Sequence, residues 1–172
     1  MSSFSITNNL YLRTLYGSNR AFASTTNRKE ETCTEKLSAA DQAALRKGIK
    51  GLADFEFDEI DDDTSAGKTK VYNTLKAFAD AYNNCLETGS SSSNTSVQRL
   101  TNKMKSVSSS YSDTLDKYGI TFDNHGYMSV SKSAVENIHA SNYKSILGSD
   151  SSYMKELSKY SSRISTRVDA YA

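Results

Sequence analysis

The feature that most limits how this chain can fold is the spacing of its scarce large apolar residues. Three stretches place them at helical intervals. Val71, Leu75, Phe78, Tyr82 and Leu86 form the first set. Val97, Leu100, Met104, Val107, Tyr111, Leu115 and Tyr118 form the second. Tyr153, Leu157, Tyr160, Ile164, Val168 and Tyr171 form the third. Steps of three and four line up one stripe on a helix of about 3.6 residues per turn. The second and third sets sit close to a heptad seam, which needs a partner helix. Little else is available for a core. Leu, Ile, Val and Phe make 31 of the 172 residues, against 29 Ser, 15 Thr and 12 Asn. So low a share borders on the disordered range, below about 20%. The net charge of +1 argues against disorder, and eleven tyrosines add core mass. With no proline to break them, long helices are permitted throughout.

The remaining punctuation places the elements. Ser38-Ala39-Ala40-Asp41 reads as the opening of the first helix, with a serine cap and an acid near the positive helix end. Leu45, Ile49 and Leu52 then share a face. A second helix covers residues 71–86. Gly89 and the four serines after it read as a flexible link. Thr95-Ser96-Val97-Gln98 is a capping box opening the longest helix, about 96–118. Helices joined by so short a link pack antiparallel. Gly119 sits where a helix stops. Ile120-Thr121-Phe122 and Tyr127 to Val130 alternate around the turn sequence Asp123-Asn124-His125-Gly126, which predicts a small β-hairpin. Ser133 caps a short helix with Val135 and Ile138. Tyr143, Ile146 and Leu147 form another short apolar piece, and the last helix spans about 151–171. The fold expected is mainly α, an elongated antiparallel helical bundle or coiled coil with one small β-hairpin near 120–130. Residues 37–172 make the bundle. Residues 1–36 make an N-terminal arm, polar over 24–36. Its cluster of Leu10, Tyr11, Leu12, Leu15, Tyr16 and Phe22 either docks on a partner or packs on the core.

Composition also removes function classes. Balanced charge argues against a nucleic-acid partner, which requires an excess of Lys and Arg. It argues equally against a polybasic membrane patch. No apolar run approaches the ~18 residues of a transmembrane helix. The N-terminus has neither the basic nor the apolar part of a signal peptide. The protein therefore stays in the cytoplasm or leaves by a route that reads no such signal. Cys33 and Cys85 make no CxxC pair and no metal spacing. A disulfide and two unrelated thiols both remain open, and the thiols fit better. Residues 54–63 carry seven acids with Phe55, Phe57 and Ile60 between them. A calcium loop needs glycine at its sixth position and an acid at its twelfth. Counted from Asp54 these are Glu59 and Ser65, so a solvated connector pinned by its aromatics is expected instead. Gly67-Lys68-Thr69 ends like a phosphate loop, but Asp62 stands where the earlier glycine belongs. His125 and His139 lie on separate segments, and neither builds a nucleophilic triad or a metal set. No catalytic, metal or cofactor residue is expected, and the chain does not read as an enzyme.

From about residue 68 to 150 the order of these pieces resembles the bacterial flagellar capping protein family, also called hook-associated protein 2. Leu75-Lys76-Ala77-Phe78-Ala79-Asp80-Ala81-Tyr82-Asn83 is similar to a family helix in which an aromatic precedes an alanine-tyrosine-asparagine element. Tyr118-Gly119-Ile120-Thr121-Phe122 resembles the step that begins the family's short hairpin. Asp123 to Val130, with Gly126, Met128 and Val130, resembles the element that ends it. The family-like positions are thus Phe78, Tyr82, Asn83, Gly119, Ile120, Phe122, Gly126, Met128 and Val130. The family's large outer domains have no room here. The first 60 residues differ from the family's start, and cysteine is unusual in it. The resemblance therefore implies a reduced relative of the helical stalk. It implies a structural or assembly protein, flagellar or extracellular, acting through helix–helix contacts. Its partners would be other flagellar components or itself, with the seam Tyr153, Leu157, Tyr160, Ile164, Val168 and Tyr171 as the surface offered. A secreted, adhesin-like binding module on the same fold, or a cytoplasmic chaperone-like adaptor, would read the same way.

Overall fold

The computed structural model describes residues 30–169. Its long helices are α1 (Glu30–Ala53), α2 (Ser65–Ser90), α3 (Thr95–Ser110) and, after several short elements, α7 (Ser152–Asp169). Between α3 and α7 come α4 (Ser112–Asp116), β1 (Ile120–Phe122), β2 (Met128–Val130), α5 (Lys132–Glu136) and α6 (Ala140–Leu147). A 3₁₀ turn, Phe57–Glu59, lies in the connector between α1 and α2. The class is mainly α with one small antiparallel hairpin, as the periodicity predicts.

Four helices close a ring, in which α1 packs on α2, α2 on α3, α3 on α7 and α7 on α1. Gln42 of α1 meets Cys85 of α2, while Gly48 lies against Phe78. Rising numbers on one helix meet falling numbers on the other, so this pair is antiparallel. The predicted stripe of α2 is core throughout, since Val71, Leu75, Phe78, Tyr82 and Leu86 are all buried. Each such large side chain contributes roughly 1.5–3 kcal/mol when fully buried. The hairpin and α5 lie against α2, and α6 lies against the 3₁₀ turn.

Several boundaries differ from the sequence expectation. Ser38 lies inside α1 and does not open it, because residues 30–36 are already helical. Polarity alone does not end a helix, and no Gly or Pro interrupts that stretch. The rest of the expected arm, with its apolar cluster from Leu10 to Phe22, lies outside the described residues. The longest helix is α2, not the one after it. Gly89 and Ser90 belong to α2 and not to a flexible link. Gly89 lets α3 approach closely, since a Cβ there would sit 2.2 Å from Thr101 Oγ1. The expected 96–118 helix breaks at Tyr111 into α3 and α4. Ser110 and Ser112 hydroxyls donate to the carbonyls of Ser106 and Ser109 there, a competition that bends helices.

Caps also shift. Asn94, not Thr95, accepts from the Ser96 and Val97 amides, and Ser131, not Ser133, accepts from Ala134. The helix α4 ends at Asp116 with Lys117 as its cap, so Gly119 does not stop it but closes the turn into β1, at φ 72° with a Cβ position only 2.5 Å from that of Ala134. Both facts require glycine.

Candidate functional site

Two regions carry the features that point to function. The first is the meeting of α2 with the hairpin, where Tyr82, Asn83, Ile120, Phe122, Met128 and Val130 come together, while Gly119 lies against Ala134 and Gly126 against Lys105. Asn83 of α2 uses its carboxamide as a strand edge. Its Oδ1 accepts the Met128 amide at 2.7 Å, and its Nδ2 donates to the Met128 carbonyl at 2.8 Å. Tyr82 meets Phe122 edge to face, with ring centres 6.2 Å apart. Ile120 pairs with Val130 and Phe122 with Met128 across the hairpin. Tyr82, Ile120 and Met128 are buried. Phe78 instead turns toward Gly48 of α1. In the turn, the Asp123 carboxylate accepts the Tyr127 and His125 amides, each at 2.8 Å. Those bonds, Tyr127's foremost, hold its carboxyl below the usual range. His125 is exposed at the tip.

The acidic connector is held as expected by its aromatics. Phe57 is buried, 4.6 Å from the Phe55 ring and stacked on Tyr143 at 6.1 Å. Two acids add to this in a way the sequence did not signal. Asp58 pairs with Lys144, which raises the lysine's pKa. Asp62 accepts the Ala140 amide at 3.0 Å and faces His139 Nδ1 at 3.1 Å, so it caps α6 from a distant segment. Their partners are far away along the chain, and no local spacing announces them.

A polar layer crosses the core. Gln42 donates to the Cys85 sulfur, and Ser108 Oγ lies 3.2 Å from the Tyr153 hydroxyl. Tyr82 faces the same serine without closing a bond. Burial pushes the Tyr82 hydroxyl up to about 12 and raises Tyr153 and Cys85 further. Cys85 is a free buried thiol, held protonated and therefore a poor nucleophile.

The second region concerns α7. The expected interaction seam is consumed inside the chain. Tyr153, Leu157, Ile164 and Val168 are buried, and Tyr160 is half-buried. They fill the space between α1 and α3, so this stripe is core and not a free surface. Tyr171 lies outside the described residues. Beside the buried stripe, α1 and α7 leave a groove of about 720 Å³. Arg46, Lys47, Lys50 and Lys155 line it over a floor that includes Ile49 and Met154, and no carboxylate is among its described lining residues. Sequence reading missed this patch because its cations are shared between two helices far apart in the chain.

Among the described residues, no three His, Cys, Asp or Glu side chains gather as metal ligands. No described helix is long and apolar enough to cross a membrane. Comparison with known proteins found no matching family model, no matching curated protein and no matching solved structure.

Proposed function

We propose that this chain is a structural or assembly protein acting through protein–protein contacts, related to the helical stalk of the bacterial flagellar cap. The observation that supports the reading is the Asn83–Met128 pairing. The two sequence segments that resemble that family, separated by the whole of α3, are held to each other by their own family-like residues. A chance likeness of generic helices and hairpins gives no reason for those positions to bond. The rest of the molecule suits the same role. Its buried cysteine is sequestered, and among the described charged side chains all but Asp41 reach solvent.

The test is deletion of the coding region, with motility, filament formation and export of filament proteins scored together. The protein should appear in sheared filaments or in export-dependent culture supernatant. Absence from both, with normal motility in the deletion strain, overturns the flagellar reading. Binding to a glycan or matrix panel without flagellar association would move the protein to the adhesin class.

A further inference from the structure

We infer that the basic groove between α1 and α7 is a self-association surface, and that its occupant is the acidic connector, residues 54–63, of a second copy. The inference rests on the assembly reading and deepens it by naming the partner.

Charges of opposite sign lie side by side on this face. Arg46, Lys47, Lys50 and Lys155 line the groove. Lys155 also reaches the Asp150 carbonyl at 3.0 Å and its carboxylate at 3.8 Å. The acids begin immediately next door. The last turn of α1 supplies Lys50 and Ala53 to the groove, and the next residue is Asp54. Asp58 and Asp62 of the connector are committed to Lys144 and to α6. Asp54, Glu56, Glu59, Asp61 and Asp63 are exposed. A positive patch beside a negative one is self-complementary under a two-fold axis, because each copy's groove then faces the other's connector. The net charge of +1 adds almost no repulsion between copies. The chain's own segment outside the described residues is the wrong occupant. Residues 1–29 carry Arg13, Arg20, Arg28 and Lys29 and no acid, so they match the groove in sign.

The test uses the purified full chain in sedimentation velocity. Wild type should form a dimer that weakens about tenfold or more between low and high salt, since its charges lie within screening range. Two double variants reverse one patch each, Lys50→Glu with Lys155→Glu, and Glu56→Lys with Glu59→Lys. Each alone should be monomeric. Mixed together they should dimerise, because both contacts of the mixed pair regain opposite signs. Circular dichroism checks that each variant is folded. Should a reversed variant fail to fold, Lys50→Gln with Lys155→Gln must weaken the dimer on its own. A wild-type monomer at about 100 µM, in the concentration range that reveals weak contacts, overturns the inference. So do variants that dimerise alone, a mixture that stays monomeric, or a groove that captures an acidic peptide while the chain remains monomeric. A monomeric chain that still reaches the filament overturns this inference and leaves the assembly reading standing. A charge-dependent dimer with no flagellar location does the reverse.

Discussion

Replacing Asn83 by aspartate tests the joint between α2 and the hairpin with a change of one atom. The native carboxamide donates to the Met128 carbonyl and accepts from its amide. At neutral pH the carboxylate of N83D keeps the acceptor and loses the donor. Its second oxygen then faces the Met128 carbonyl oxygen at a separation near the native 2.8 Å. One neutral hydrogen bond of about 1 kcal/mol is lost, and a half-buried carbonyl is left unmet at about 1–3 kcal/mol. The sum is roughly 2–4 kcal/mol of destabilisation at pH 7.

Acid should reverse most of this loss. A protonated carboxyl at position 83 again carries one donor and one acceptor, and reproduces the amide's bonding. The fold therefore favours the protonated form and raises the pKa of the introduced carboxyl above its unfolded value of about 3.9. For a group with a raised folded pKa, the stabilising contribution is complete below the unfolded pKa. It is lost as pH rises through the folded one. The gap between wild type and N83D should be small below about pH 4 and reach its full size by pH 7. Urea unfolding at both pH values measures it, and hydrogen exchange at the Met128 amide reports the joint directly. Asn83→Leu serves as the control, destabilised to the same extent at both pH values. An N83D protein as stable as wild type at pH 7, or a gap that ignores pH, would refute the reasoning.

Three further outcomes follow from the packing. Gly89→Ala should cost about 1–3 kcal/mol by overpacking, because its Cβ meets Thr101 at 2.2 Å; adding Thr101→Ala should recover part of this in thermal unfolding. In a Cys33→Ser background, Cys85 should ignore thiol reagents until the protein unfolds, since it is buried and held as the thiol; rapid labelling of native protein would contradict that. Stability should also fall in alkali. Tyr82, Tyr143 and Tyr153 all have raised folded pKa values, so their neutral hydroxyls contribute fully below about pH 10 and the contribution is lost as pH rises toward the folded values. Tyr82 alone, moved from 10.0 to about 12, accounts for about 2–3 kcal/mol between those pH values. The share of tyrosinate absorbance that Tyr82→Phe, Tyr143→Phe and Tyr153→Phe variants remove should appear only together with loss of helix, and its appearance in the folded protein would be the contrary result.

What the sequence disclosed divides by range. The faces of α2 and α7 were legible because spacing within one helix sets which residues share a side. Leu75 and Leu157 needed no other information. Caps were misread by one or two positions because this chain offers several competent residues at each helix start. Asn94 stands beside Thr95, and Ser131 beside Ser133. The break at Tyr111 was hidden because the apolar spacing continues through it, while the serines that bend the helix lie on its other side. Asn83 with Met128, Asp62 with Ala140, and the cations of the groove were illegible. Each depends on segments that meet only in the folded chain. The α7 seam shows the same limit in another form. Its spacing states that a face is buried, and not whether the chain or a partner buries it.

The lean composition has a consequence inside the core. With few aliphatic residues, this chain fills space with tyrosine, and Tyr82, Tyr143 and Tyr153 are among its largest fully buried side chains. Each brings a hydroxyl that needs a partner. Tyr153 finds Ser108, and Tyr143 donates to the Tyr118 carbonyl at 3.0 Å. Serine abundance is therefore not only a property of exposed faces, since Ser92, Ser108, Ser151, Ser161 and Ser165 are buried as well. Apolar side chains tolerate a helix sliding by one turn, because one Leu replaces another. A tyrosine hydroxyl matched to one serine does not, and its loss costs about 1–3 kcal/mol. The same economy that starves the core of Leu and Val thus fixes α3 against α7. A defined register is what the groove on α7 and the joint on α2 both require to keep their residues in place.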